Sequence, residues 1–276
     1  PFDVTQPGIS YLKKSDGQAG HVVALNTSYY AGNISSNGSV EFDGVADYIT
    51  TTVNLPNNTF TVGAWFNTDA WENGDTIFTS HNGTSYARIQ LLRNNANCDV
   101  QDTSYRCLRF QTYNGVGQRR VSTVGDATGG LDTGWHHVVG LINSTGMYLF
   151  IDGSLVRTDT TVYTVPTFGK IDTWIGMDET GSSYAFDGQL DELFFDQNPL
   201  STADITELWN SGAGKRYDET SFYNESEVGY YNDMDGFNDQ GTNIFNATVK
   251  TSVVQQPEGV PGIISQWNLT ATNFNG

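Results

Sequence analysis

GWHHVVGLI at 134–142, MYLFIDGSLV at 147–156, FDGQLDELFF at 186–195 and LSTADITELWNSG at 200–212 follow one another in order, and their reading decides the fold. His137, Val139 and Leu141, then Tyr148, Phe150 and Val156, fall on alternate positions, the period of a half-buried strand and not of a helix. Asp152-Gly153 lies between two apolar runs, where a two-residue turn needs the positive φ that Asp-Gly supplies at little cost, so a hairpin is expected. In the last segment Ser201 is an N-cap with Asp204 three residues on, Ile205, Leu208 and Trp209 share one face, and Gly212 is a stop. One short helix therefore follows the last strand.

Working outward, the rest of the 276 residues carries 30 glycines and short alternating segments parted by Asn, Gly and Asp, with no further helical pattern. Strands are predicted over 47–53, 59–67, 75–80, 86–92, 107–113, 118–123 and 171–176. The chain is long enough for one large sandwich with extensions.

Charge narrows the partners. Lys and Arg number 13 against 31 Asp and Glu, a net charge of −18, and no basic run exceeds Arg119-Arg120. Phosphate backbones and anionic membranes are poor partners for such a surface, so nucleic acid is excluded. No apolar run approaches the roughly 18 residues of a membrane span. A start at Pro1 without an apolar leader reads as a mature product or a fragment.

Cys98 and Cys107 enclose the polar stretch DVQDTSYR between two strand-like runs. A disulfide closing that hairpin is favoured over two unrelated thiols, and it points to an oxidising compartment. Nine Asn-X-Ser/Thr triplets begin at Asn26, Asn33, Asn37, Asn57, Asn82, Asn143, Asn224, Asn246 and Asn268. That is about twice the chance expectation, which favours an exported glycoprotein, extracellular or at the cell surface, bearing N-linked glycans. The alternative is a solvated β surface rich in Thr and Asn. Asn82, Asn143 and Asn224 are the best placed in turns.

NGSVEFDGVADYI (37–49), FTVGAWFN (60–67) and the segments quoted above, in this order, resemble the laminin-G-like jelly roll of the concanavalin A-like lectin and glucanase superfamily. The resemblance covers roughly residues 37–212. It implies an all-β fold, a two-sheet antiparallel jelly-roll sandwich with one short C-terminal helix and extended N- and C-terminal segments. The chain then divides into an N-terminal extended segment (1–36), the jelly roll (37–212), a linker (213–227) and a β tail (228–276).

The tail is where the sequence departs from the family pattern. Such domains open with an aromatic-x-Φ-Asp-Gly strand and an acidic loop, and the region before Asn37 matches this poorly. VGYYNDMDGFNDQGTNIFNATV at 228–249 matches it well, and TATNFNG at 270–276 resembles GSVEFDG at 38–44. Three arrangements are open: the tail completes its own sandwich, it begins a following repeat, or it completes a neighbouring subunit. The third, head-to-tail strand complementation into a filament, is the expectation that the extended segments favour, because a missing edge strand leaves backbone to be covered.

Family glucanases carry a Glu-x-Asp-x-x-Glu strand with nucleophile and acid on one face. The matching stretch here places Gln189 and Phe194 at those two positions, so glycoside hydrolysis, and enzymatic activity generally, is not expected. His136 and His137 point to opposite faces of one strand, one packed and one solvated, and no metal or nucleophile spacing involves them. Calcium is the one cofactor the resemblance implies, held at a sheet rim by Asp191 with Asp235 and Asp239. Trp65, Trp135 and Trp174 read as core, whereas Trp71, Tyr105, Tyr113 and Tyr184 fall in or near loops where they could stack on sugars. Two function classes follow: a non-enzymatic structural or adhesive glycoprotein that self-associates, or a calcium-assisted carbohydrate-binding module.

Overall fold

The computed structural model describes residues 39–45, 47–55, 58–68, 74–93, 106–123, 131, 134–161, 168–178, 183–224, 228–231, 248–250 and 254–256. Two antiparallel sheets, each of six strands drawn from residues 39–196, pack face to face. The first runs β10 (Ser154–Asp159), β9 (Gly146–Ile151), β8 (His136–Asn143), β3 (Phe60–Thr68), β12 (Asp187–Asp196) and β1 (Ser39–Asp43). The second runs β2 (Tyr48–Leu55), β11 (Gly169–Ile175), β4 (Thr76–His81), β5 (Tyr86–Arg93), β6 (Arg106–Tyr113) and β7 (Gln118–Ser122). All seven predicted strands are present, displaced at their ends by one or two residues.

The core between the sheets joins Val62, Phe66, Leu190 and Phe195 of the first sheet to Phe78, Ile89, Phe110 and Ile171 of the second. Edge-to-face ring pairs cross the gap, Phe78 on Phe195 at 5.3 Å and Phe60 on Phe110 at 6.4 Å. Gly140 makes room for the second pair, since a Cβ there would stand 2.6 Å from the Phe110 ring.

A third layer lies on the outer face of the first sheet. Helix α1 (Thr202–Trp209) has the expected capping box, with Asp204 N donating to the Ser201 hydroxyl and Ser201 N donating to the Asp204 carboxylate. Ile205, Leu208 and the following Tyr217 bury Val139, Leu141, Phe150 and Phe194. Strand β8 is therefore covered on both faces, and the expectation of a half-buried strand is corrected: His137, Val139 and Leu141 face the helix layer, while Val138 and Ile142 face the second sheet. The Asp152-Gly153 turn forms as read, with φ of 50° and 71°.

Neither histidine of β8 is solvated. His137 is buried against the Trp65 ring, and His136 is buried with its Nδ1 2.9 Å from Asp152 Oδ2. The turn thus organises the strand beside it, because Asp152 Oδ1 also accepts from His137 N at 2.9 Å.

Three short tail strands extend the sheets of their own chain. β13 (Val228–Tyr231) pairs with Leu193–Asp196 of β12, on the stretch beyond the one that β1 occupies. β14 (Thr248–Lys250) and β15 (Val254–Gln256) add to β2 and β1. The opening-type sequence VGYY thus lies along the line that β1 begins.

Candidate functional site

Alternation on β5 and β6 sends Ala87, Ile89, Leu108 and Phe110 into the core, so their neighbours share the outer face of the second sheet. Register then sets those neighbours side by side in rows. Asp172, His81, Tyr86, Tyr113 and Gln118 form one row, across β11, β4, β5, β6 and β7. Trp174, Thr79, Arg88, Gln111 and Arg120 form the next. Thr76, Gln90, Arg109 and Ser122 form a third.

The rows are knitted by side chains. Tyr86 and Tyr113 stack at 5.4 Å, His81 meets the edge of Trp174 at 6.3 Å, and the Arg88 guanidinium lies 4.5 Å over the Tyr86 ring. Gln111 is the hub: its amide donates to Tyr86 Oη at 3.1 Å and Gln118 Oε1 at 2.7 Å, and its oxygen accepts from Arg88. Gln90 plays the same part in the third row, accepting from Arg109 Nη2 at 2.7 Å and donating to Thr76 Oγ1 at 3.0 Å. Exposure is graded: Tyr86, Arg88, Tyr113, Arg120 and Trp174 are half-buried, while Gln90, Arg109 and Ser122 of the third row are buried. Half-exposed Tyr184 stands at the rim, its carbonyl accepting from Thr76 N at 3.0 Å. Burial, and after it the charges of Arg88 and Arg120, pull Arg109 down to about 9.

These residues supply flat aromatic surface beside amide and guanidinium donors, the functional groups that hold an apolar sugar face and its hydroxyls. A separate pocket of about 120 Å³ opens between Arg119, Asn143 and Thr161. It is well short of the roughly 300 Å³ at which ligand pockets begin, and its Arg119 is already paired with Asp159 at 2.6 Å.

The sequence-predicted sites fall elsewhere. Gln189 is bonded to Asn67 and Phe194 is buried against Tyr217, so neither glucanase position carries a carboxylate. Asp191 is 1% exposed and opposite Trp65, and its Oδ1 accepts from Glu192 N at 2.9 Å, where β12 bulges and Glu192 takes φ 49°. Asp191 thus holds a bulge with one of its carboxylate oxygens. Among the described residues no three His, Cys, Asp or Glu gather as a metal site. Asp235, Asp239, Cys98, Trp71, Tyr105, Asn26, Asn33, Asn37, Asn57, Asn246 and Asn268 lie outside the described residues. Cys107 is disulfide-bonded.

Of the tryptophans read as core, Trp65 is buried, though under Trp209 of the helix layer instead of between the sheets. Trp135 is half-buried beside it, and Trp174 is on the outer face of the second sheet. Tyr113 and Tyr184, read as stacking candidates, do flank the new face. Sequence reading missed Tyr86, Arg88, Gln90, Arg109, Gln111, Gln118 and Arg120. The signal available was the i, i+2 repetition of long polar residues, Arg88-Ile-Gln90 and Arg109-Phe-Gln111, inside two strands whose intervening positions are apolar.

A laminin-G family profile described as the concanavalin A-like lectin/glucanases superfamily matches residues 43–206. The chain belongs to that superfamily. Solved superfamily-like folds include a heptameric SAP-like pentraxin from Limulus polyphemus, 15% identical with a TM-score of 0.53, where the match covers 82% of this chain and 96% of that one. A putative carbohydrate binding protein from Bacteroides ovatus is 14% identical with a TM-score of 0.53, over 81% of this chain and 60% of that one. Identities this low show the shared fold alone. No curated protein matches the chain. Among the described residues no helix is long and apolar enough to cross a membrane.

Proposed function

We propose that the chain is a non-enzymatic carbohydrate-binding module of the superfamily, with its site on the outer face of the second sheet. The observation that carries this reading is the alignment of half-buried Trp174, Tyr86 and Tyr113 with Gln111, Gln118 and Arg88 on one sheet face. On the outer face of the first sheet, helix α1 and Tyr217 cover Val139, Leu141, Phe150 and Phe194. Gln189 and Phe194 support a binding role over a hydrolytic one. The description of the Bacteroides ovatus protein accords with the reading.

A glycan array probed with the full chain and with Tyr113→Ala and Trp174→Ala tests it. Selective retention that both substitutions weaken is expected. Binding to no glycan, or equal binding by all three proteins, would reject the site.

Further parts of the reading are the Cys98–Cys107 disulfide, an extracellular or cell-surface location and N-linked glycans. Support for the glycans comes from Asn82 and Asn143, each at a hairpin turn with its side-chain oxygen accepting from the sequon threonine's amide and hydroxyl. Peptide mapping by mass spectrometry after glycosidase treatment tests them. Calcium bound by Asp191, Asp235 and Asp239 is tested by a thermal melt with and without EGTA, where an unchanged midpoint counts against it. A second reading, self-association by exchange of the tail, is favoured by one observation: β14 and β15 sit at the outermost positions of the two sheets, where the same pairs can form between copies.

A further inference from the structure

We propose that the Asn82-Gly83 turn is a self-modification site, at which Asn82 loses its side-chain amide through a cyclic imide to leave aspartate or isoaspartate, with His81 as the general base. No ligand takes part, and the co-reactant is water.

Two Asn-Gly pairs lie among the described residues, Asn82-Gly83 between β4 and β5 and Asn114-Gly115 between β6 and β7. The turns are neighbours, since a Cβ on Gly115 would stand 3.5 Å from the Thr84 carbonyl oxygen. Both glycines are exposed with positive φ, 92° and 85°, and neither carries a Cβ to hinder the nitrogen that follows the asparagine. In both turns two backbone amides hold the asparagine oxygen. Asn82 Oδ1 accepts from Thr84 N at 3.2 Å and Ser85 N at 2.9 Å, and Asn114 Oδ1 accepts from Val116 N at 3.0 Å and Gly117 N at 2.9 Å. Such donors draw charge onto Oδ1, leave Cγ electrophilic and receive the oxyanion that forms when a nitrogen adds to Cγ.

The two turns differ at the nucleophile. Gly83 N donates to His81 Nδ1 at 3.3 Å, whereas the Gly115 N–H has no acceptor among the described residues. An amide N–H lies in the peptide plane, and the nitrogen adds to carbon through the electron pair perpendicular to that plane. His81 can therefore take the proton in the plane while Cγ approaches from the face. The Gly83 N–Cγ bond forms as the N–H proton passes to His81 Nδ1. The Cγ–Nδ2 bond then breaks, the proton returns to the leaving nitrogen, and ammonia departs. Water opens the imide at either carbonyl to give aspartate or isoaspartate. The edge of Trp174, 6.3 Å from the imidazole, flanks the base. A glycan on Asn82 Nδ2 would block the loss, so the reaction belongs to copies without one.

The full chain, made in a bacterial host that adds no N-glycans, is incubated at neutral pH and followed by peptide mass spectrometry, which reads both turns in one sample. The expected result is that Asn82 converts at least about tenfold faster than Asn114. His81→Phe, which keeps a ring beside Trp174, should bring Asn82 down to the rate of Asn114 and leave Asn114 unchanged, with a thermal melt showing that the variant folds. If Asn82 of the wild type converts no faster than Asn114, or neither converts, the hydrogen bond to His81 only holds the amide and the proposal is overturned. Fast conversion of Asn82 in both proteins removes His81 as the base and overturns it equally.

Discussion

Trp209, the last residue of helix α1, stacks on Trp65 of strand β3 with ring centroids 5.1 Å apart and planes 20° from parallel. Trp65 in turn lies 5.1 Å from His137 of β8, so one helix residue anchors the outer layer to two strands. Trp209→Ala should lower stability by about 2–3 kcal/mol, less than a fully buried aromatic because Trp209 is half-buried, with Trp209→Phe intermediate. Chemical denaturation measures both, and an alanine variant within 0.5 kcal/mol of wild type would show that the stack anchors nothing.

Gly153 is demanded twice over. Its φ is +71°, and a Cβ there would stand 2.7 Å from the Trp209 ring. Gly83 has φ +92° with nothing within 4 Å of its would-be Cβ. Gly83→Ala should therefore cost about 1 kcal/mol and Gly153→Ala roughly 1–2 kcal/mol more. The difference should shrink in a Trp209→Ala background, a double-mutant cycle that isolates the packing from the backbone strain.

Burial, opposed weakly by Asp152, holds the His137 imidazole down at about 4, against 6.5 for the free side chain. The folded protein thus refuses a proton that the unfolded chain accepts. Stability from this group is complete above pH 6.5 and is lost as the pH falls towards 4, by on the order of 3 kcal/mol across that window. His137→Phe keeps a ring against Trp65 and should flatten the melting temperature between pH 6.5 and 4. An equally steep fall in the variant would assign the pH dependence to other groups.

Truncation after Asn224 removes β13, β14 and β15 and bares the edges they cover on β12, β2 and β1. The shortened chain should melt earlier and elute larger than a monomer in size-exclusion chromatography, because unpaired edge strands seek partners. A truncated monomer as stable as the full chain would remove the tail from both self-completion and exchange.

Much of the sandwich was legible because strand period, turn chemistry and helix caps are local. Asp152-Gly153 and the Ser201–Asp204 capping box act within a few residues, and the structure has both as read. The outer face of the second sheet, proposed as the binding face, was not legible. Arg88, Arg109 and Arg120 are distant in sequence, so a search for basic runs stopped at Arg119-Arg120, a pair whose members point to opposite sides of β7.

What the amino-acid order determined by itself is the set of elements and the two faces of each strand, since alternation is a property of the extended backbone. It did not determine what lies over each face. Val139 and Leu141 read as core and are buried, but by a helix; Trp174 read as core and faces outward; His136 and His137 were split between core and solvent and are both buried. Only tertiary structure decided these, because coverage depends on which layer packs where. Only strand register, which sums hydrogen bonds and packing over whole strand pairs, set Arg88 opposite Gln111 and Arg109 opposite Gln90 and so gathered three like charges on one face of an acidic protein.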